Sequence, residues 1–298
     1  MEHQHHRSME GSTNARFLTA SIMNIVITIA ELVGGILSGS LALISDAVHN
    51  FTDVLSLIIA WVAQWISGKP TSERNTFGFR RAEILAAFVN SIFLFAVTFL
   101  LVIESVKGFL DPHPIKGLLM LIIAVIGLVA NVVTGLVLLG GHKNLNTKAA
   151  LLHVLGDTLS SLGVIVAAVL IYFFNWTFLD PLITLVVALY IMYATWPVLK
   201  ASTQILMQSN ISLDFDAIKN DVLPCPHVKG AHHFHAWQVD EDRVMLSFHV
   251  TMDDQPLSEV EKSNQKMREI IQSKYHVDHV TIQPEIDHEN ADLIEKDE

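Results

Sequence analysis

Between Phe17 and Gly68 this chain has no lysine and no arginine, and its only charges there are Glu31, Asp46 and Asp53. A soluble domain, where about a quarter of residues are charged, does not leave so long a stretch this apolar. A bilayer core about 30 Å thick takes roughly 20 apolar residues of helix. The stretch therefore holds two spans, broken near Ser38-Gly39-Ser40. The pattern repeats further on. Ile84–Ile103 and Gly117–His142 carry no Asp, Glu, Lys or Arg, and Ala149–Leu199 carries only Asp157 and Asp180, with a break at Asn175–Pro181. Six transmembrane helices are predicted, over residues 17–37, 43–66, 83–108, 116–140, 148–173 and 178–198.

The remaining charge is unevenly placed. Residues 1–200 carry 11 basic and 11 acidic side chains, whereas 201–298 carry 8 and 19, so the net charge of −11 belongs to the last third. An acidic balance excludes a nucleic-acid binder, which needs a basic footprint. Cys225 is the one cysteine, which excludes a disulfide scaffold. The expected division is a His-containing tail (1–14), a six-helix membrane domain (15–207), a soluble α+β domain (208–286) and an acidic, disordered tail (287–298). The first residues are polar, without the apolar core of a cleavable leader. Lys and Arg concentrate in the 2–3 loop (Lys69, Arg74, Arg80, Arg81), the 4–5 loop (Lys143, Lys148) and the tail (Arg7, Arg16). That bias orients both termini toward the cytoplasm. In the soluble part the pattern reads as helix 214–223, strand 231–239, an acidic turn at Asp240-Glu241-Asp242, strand 244–252, helix 258–274 and strand 279–285. An α-β-β-α-β order implies a small open-faced sandwich.

Ionisable groups inside a membrane are costly, at least ~2.5–3.5 kcal/mol each, and mark function. His49 and Asp53 are four apart in helix two, and His153 and Asp157 are four apart in helix five. Residues four apart share a helix face. Each helix thus offers one imidazole and one carboxylate at one point, and two such helices supply the four ligands of a tetrahedral zinc. Without sulfur the set favours Zn(II), with Cd(II), Co(II) and Fe(II) as alternatives. Two His–carboxylate contacts that merely satisfy each other are the bland alternative, at the cost of two independent buried pairs. A metalloprotease would need His-Glu-x-x-His, which is absent. Asp46, three residues before His49, reads either as a support for the site or as a helix N-terminal charge. Asn24, Glu31 and Asn131 either line the cavity or bond helix to helix.

These residues sit in a recognisable series. It comprises Ser38-Gly39-Ser40-Leu41-Ala42-Leu43, Asp46-Ala47-Val48-His49 through Asp53, Thr76-Phe77-Gly78-Phe79-Arg80-Arg81-Ala82-Glu83 and Asn144-Leu145-Asn146. It continues with His153-Val154-Leu155-Gly156-Asp157, Asp180-Pro181 and His235-Ala236-Trp237. Over residues 14–286 the chain resembles the cation diffusion facilitators, membrane zinc exporters. The resemblance implies a transport site of His49, Asp53, His153 and Asp157, with His at position 49 matching the zinc-preferring subgroup. It implies a homodimer in a lipid bilayer, a metallochaperone-like cytoplasmic domain, and export of Zn(II), with Cd(II) or Co(II) as further cargo, in exchange for protons. No organic cofactor and no enzyme activity are expected. No ATP is expected either, since no phosphate-binding Gly-rich loop is present. The other function class is a membrane-anchored metal receptor with the soluble domain as its binding module.

Eight of the 15 histidines lie in the soluble part. Strand alternation lets His232 face His249 and turns His233 to the opposite side. In the family, positions matching His232, His249 and Glu285 bind regulatory metal; Gln283 stands where some members have His, and His235 is a further candidate. Surface histidines on a polar sheet are the bland alternative. His3, His5 and His6 read as a metal scavenger or a solvated tail, and His113 and His142 as interfacial residues. The 2–3 loop offers only Glu73 toward the family's extra site, which is therefore expected to be absent. Arg81 matches a basic position at the domain joint, whose expected acidic partner is replaced by Gln208. The missing His-rich 4–5 loop points to a bacterial source and an inner-membrane location.

Overall fold

The computed structural model describes residues 22–139, 145–210, 212–286 and 293–294, of which 137–139 and 145–153 are described by their backbone. The tail with His3, His5 and His6, the loop with His142 and most of the acidic end lie outside the described residues. Two compact units form. One takes the chain to Ile59 and Asn90–Pro197, the other Ala60–Val89 and the chain from Val198.

The first helix described is α1 (Ile22–Ser38). It is followed by α2 (Leu41–Ser67), α3 (Arg81–Leu110), α4 (Gly117–Leu139), α5 (Leu145–Phe174) and α6 (Leu179–Leu206). Helices α2 to α6 are each long and apolar enough to cross a membrane, and α1 is a shorter apolar helix. Helix α1 ends because Gly39 turns left-handed (φ +77°), which lets the Gly39 and Ser40 N–H groups both donate to the Gly35 carbonyl at 2.9 and 3.0 Å. Helix α2 is capped by a residue of another helix. Asp180 of α6 accepts from the Leu41 N–H (2.7 Å), the Ala42 N–H (3.2 Å) and the Ser40 hydroxyl. A carboxylate there satisfies orphan donors and meets the positive end of the helix dipole. Small residues then allow α2, α4 and α5 to pack closely around Ala42, Leu43, Met120, Ala124, Val164, Ala167, Ala168 and Ile171. Leu182, Val186, Leu189, Tyr193 and Trp196 remain exposed along one face of α6, a stripe suited to lipid. Helix α6 carries Pro197 inside it and runs eight residues beyond its predicted end, through Lys200 to Leu206. The apolar pattern marks where lipid contact stops, and a helix of water-compatible residues continues past it.

The second unit carries α7 (Phe215–Val222), β1 (Val228–Gln238), β2 (Val244–Met252), α8 (Leu257–Tyr275) and β3 (His279–Glu285). The sheet order is β1-β2-β3, with β1 antiparallel and β3 parallel to β2. Alternation puts Leu246, Phe248, Val250 and Met252 of β2 inward, against Ile218 and Val222 of α7 and Met267 and Ile271 of α8. Asp214 caps α7 by accepting from the Ala217 N–H at 3.1 Å. Leu293, near the chain's end, packs on this core, and its carbonyl accepts from the Phe234 N–H at 2.8 Å. In the same unit Arg80 pairs with Asp240 of the β1–β2 turn at 3.5 Å, and Arg81 donates to the Gln238 carbonyl at 3.3 Å. Arg81 thus meets a backbone oxygen of β1. Gln208 closes α6 in a left-handed conformation (φ +56°), its N–H donating to the Ile205 carbonyl at 3.2 Å.

Candidate metal centres

His49 and Asp53 lie one turn apart on α2, with His49 Nε2 and Asp53 Oδ2 3.6 Å from each other. Asp157 is buried on α5. His153 belongs to the same helix, one turn earlier, but its side chain lies outside those described. Asp46 bonds α2 to α5, its Oδ1 accepting from the Ser160 hydroxyl at 3.0 Å. Asp46 is too far into α2 to act as an N-terminal charge, and it joins the two helices beside the predicted ligands. Asn131 of α4 donates to Ser161 of α5 at 3.2 Å, a second helix-to-helix bond in the same region.

Helix α1 adds a carboxylate. Glu31 is 1% exposed, and its Oε2 accepts from the Asn50 side-chain amide at 2.9 Å, next to His49 in the chain. Gly127 of α4 makes the space, since a Cβ there would stand 2.5 Å from Glu31 Oε1. Glu31, Asp46, Asp53 and Asp157 are thus carboxylates of α1, α2 and α5 in segments without a lysine or arginine: none occurs in 17–68, 117–142 or 149–199. Carboxylates and an imidazole in such segments are oxygen and nitrogen donors of the kind that a divalent cation takes.

A second group lies on the outer face of the sheet. His232 and His249 are register partners on β1 and β2. Glu285 of β3 reaches both, with Oε2 3.3 Å from His232 Nε2 and Oε1 2.9 Å from His249 Nδ1. One ligand atom from each of the three lies within 4.8 Å of the others. Two imidazoles and a carboxylate are three of the four ligands of a tetrahedral zinc. Gln283 donates to Glu285 Oε1 at 3.0 Å and helps to orient it.

His235 is not part of that trio; its Nε2 lies 3.0 Å from Nε2 of His233. The expectation that His233 faces away from His232 is corrected here. The β1–β2 ladder slips between His232 and His235, which pair with His249 and Ser247, so β1 holds an extra residue. This β-bulge, with His233 at φ +53°, turns the His233 ring onto His249, 4.5 Å between centroids. His233 was missed because alternation assumes an unbroken ladder.

The two parts of the chain each match a known family. The "Cation efflux transmembrane domain" family matches residues 17–207, and the "Cation efflux protein, cytoplasmic domain" family matches residues 212–287. The chain belongs to the cation efflux family. It is a multi-pass membrane transporter of that family and not an enzyme. Among curated cation efflux proteins it is 38% identical to the zinc transporter ZitB of Pectobacterium atrosepticum over 289 residues, 96% of this chain and 89% of that one. With ZitB of Escherichia coli it shares 39% identity over 293 residues, 96% and 93% of the two chains. With the "Cadmium, cobalt and zinc/H(+)-K(+) antiporter" of Bacillus subtilis it shares 35% over 292 residues, 96% and 94%.

Proposed function

We propose that this cation efflux protein exports Zn(II) from the cytoplasm in exchange for protons, as a homodimer in the inner membrane with both termini cytoplasmic. Cd(II) and Co(II) are further cargo of the same chemistry. The transport site is His49 and Asp53 of α2 with His153 and Asp157 of α5. The observation that carries this reading is the facing of two acid-bearing helices, tied by Asp46 and Ser160, in segments with no basic side chain.

The steps follow from the ligands. A coordinating imidazole must be neutral, so metal and proton compete for the same lone pair. Histidine titrates near neutrality, which makes that competition effective at cellular pH. Zn(II) arriving from the cytoplasm displaces protons from His49 and His153. When the site opens to the other side, protons return and the metal leaves, so an inward proton gradient drives export. Rocking of helices about a midplane site supplies the alternating access. His232, His249 and Glu285 bind a regulatory zinc on the cytoplasmic domain, where its charge offsets part of that domain's negative excess. The experiment is zinc flux in proteoliposomes with an imposed pH gradient. Asp157→Ala is expected to abolish flux while the protein still folds and inserts. Flux that survives the substitution, or that ignores a protonophore, would overturn the proposal.

A further inference from the structure

We infer that His233 and His235 form a second transition-metal site on the outer face of the sheet, beside His232, His249 and Glu285. This extends the proposed regulatory role of that face and names residues outside its three ligands.

Three observations carry it. The Nε2 atoms of His233 and His235 converge to 3.0 Å, with the rings nearly perpendicular at 72°. Two nitrogens that each bind one tetrahedral zinc at about 2.0–2.1 Å stand roughly 3.3 Å apart, so the pair needs only a few tenths of an ångström to chelate. Second, the convergence is built by the bulge. Without the extra residue in β1, His233 would turn to the other face. It takes a left-handed φ of +53°, which a side chain with a Cβ rarely adopts, in the middle of a strand. Strained backbone of this kind gathers at functional sites. Third, the pair is accessible: His235 is exposed and His233 half-buried, which leaves room for water or a further ligand on the ion. His233 also stacks on His249 at 27° between ring planes, so an ion on the pair sits against a ligand of the first site. A cation with two protein ligands binds more weakly than one with three. The face therefore holds a tighter and a looser site, and the looser one fills only as free metal rises. Borderline ions that accept imidazole, Zn(II) and Co(II), suit it.

The other reading of the same distance is a hydrogen bond between two imidazoles, and the test separates the two. Full-length protein in detergent, carrying Asp53→Ala and Asp157→Ala to silence the membrane site, is titrated with Co(II) and followed by its visible absorption, and with Zn(II) by calorimetry. Adding His233→Gln and His235→Gln together is expected to remove one metal equivalent per protomer and leave the tighter binding event intact. His235→Gln alone, an exposed change that cannot unfold the sheet, is expected to weaken the looser event at least tenfold. Unchanged stoichiometry and affinity in both variants would reduce the pair to hydrogen-bonded imidazoles and overturn the inference. Glu285→Gln in the same background reports separately on the three-residue site. Loss of binding there with the histidine variants unaffected removes only the second site, and the converse removes only the first.

Discussion

Gly127 shows how closely the membrane unit is built. A Cβ at this position meets the Glu31 carboxylate at 2.5 Å, and Glu31 is held by Asn50, the neighbour of His49. Overpacking in a close-packed interior costs about 1–3 kcal/mol. Gly127→Ala is therefore expected to lower thermal stability in detergent and to slow zinc flux, because α1 must shift away from α4 and Glu31 with it. Combining it with Glu31→Asp, which shortens the side chain by one methylene, is expected to recover part of both. A Gly127→Ala protein with unchanged flux and melting would show that α1 is free to yield. The proposed transport residues were legible only as pairs within one helix, since spacing puts His49 with Asp53 and His153 with Asp157. The partners of Glu31 and Asp46 were not, since Asn50 lies on another helix from Glu31 and Ser160 on another from Asp46. Spacing within one helix carries no information about which side chain faces it.

Among the elements, the strands and helices of the carboxy-terminal domain follow their apolar periods closely, and β2 and β3 begin and end where alternation places them. The bulge in β1 was illegible because it is a property of pairing, visible only when β1 is counted against β2. Helices α7 and α8 are joined by polar contacts that periodicity also omits. Asp221 accepts from Lys274 Nζ and Tyr275 Oη, each at 2.5 Å. The lysine contact first, and the tyrosine contact after it, hold the Asp221 carboxyl below the usual carboxylate range. Burial first, and then Asp221, push the Tyr275 hydroxyl up to about 12. A lowered acid contributes stability above its unfolded value, about 3.9, and loses it as pH falls through the lower folded one. The tyrosine contribution runs the other way, present below about 10 and lost as pH rises through the raised value. Asp221→Asn is expected to melt at a lower temperature than the unchanged protein at pH 7, with the gap closing toward pH 3. Scanning calorimetry across that range checks it, and a gap independent of pH would assign the effect to packing.

At the scale of the whole molecule the charge pattern sets orientation. The basic residues Lys69, Arg74, Arg80 and Arg81 crowd the α2–α3 loop, while the α1–α2 and α5–α6 turns have none. On the proposed orientation, which follows the positive-inside bias, that loop is cytoplasmic and the α3–α4 loop lies outside. The chain allows a clean test because its one cysteine, Cys225, is buried. In a Cys225→Ala background, His113→Cys in the exposed α3–α4 loop is expected to react with a membrane-impermeant maleimide in intact cells. Ser72→Cys in the α2–α3 loop is expected to react only after permeabilisation. The reversed pattern would invert the direction of transport. The division into an apolar half and an acidic half was plain in composition. How the chain is shared between the two units was not, because α2, α3 and α6 are single helices whose residues contribute to both.

The bond from the Phe234 N–H to the Leu293 carbonyl has a practical corollary. Phe234 follows His233 directly, so Leu293 braces the bulge from its own strand. Purification handles are commonly fused at this end, and chains are commonly shortened there. A polyhistidine handle would compete for the very ions under study, and a cut before Leu293 would strip Phe234 of its acceptor. A handle at the amino terminus, removed before titration, leaves that brace in place.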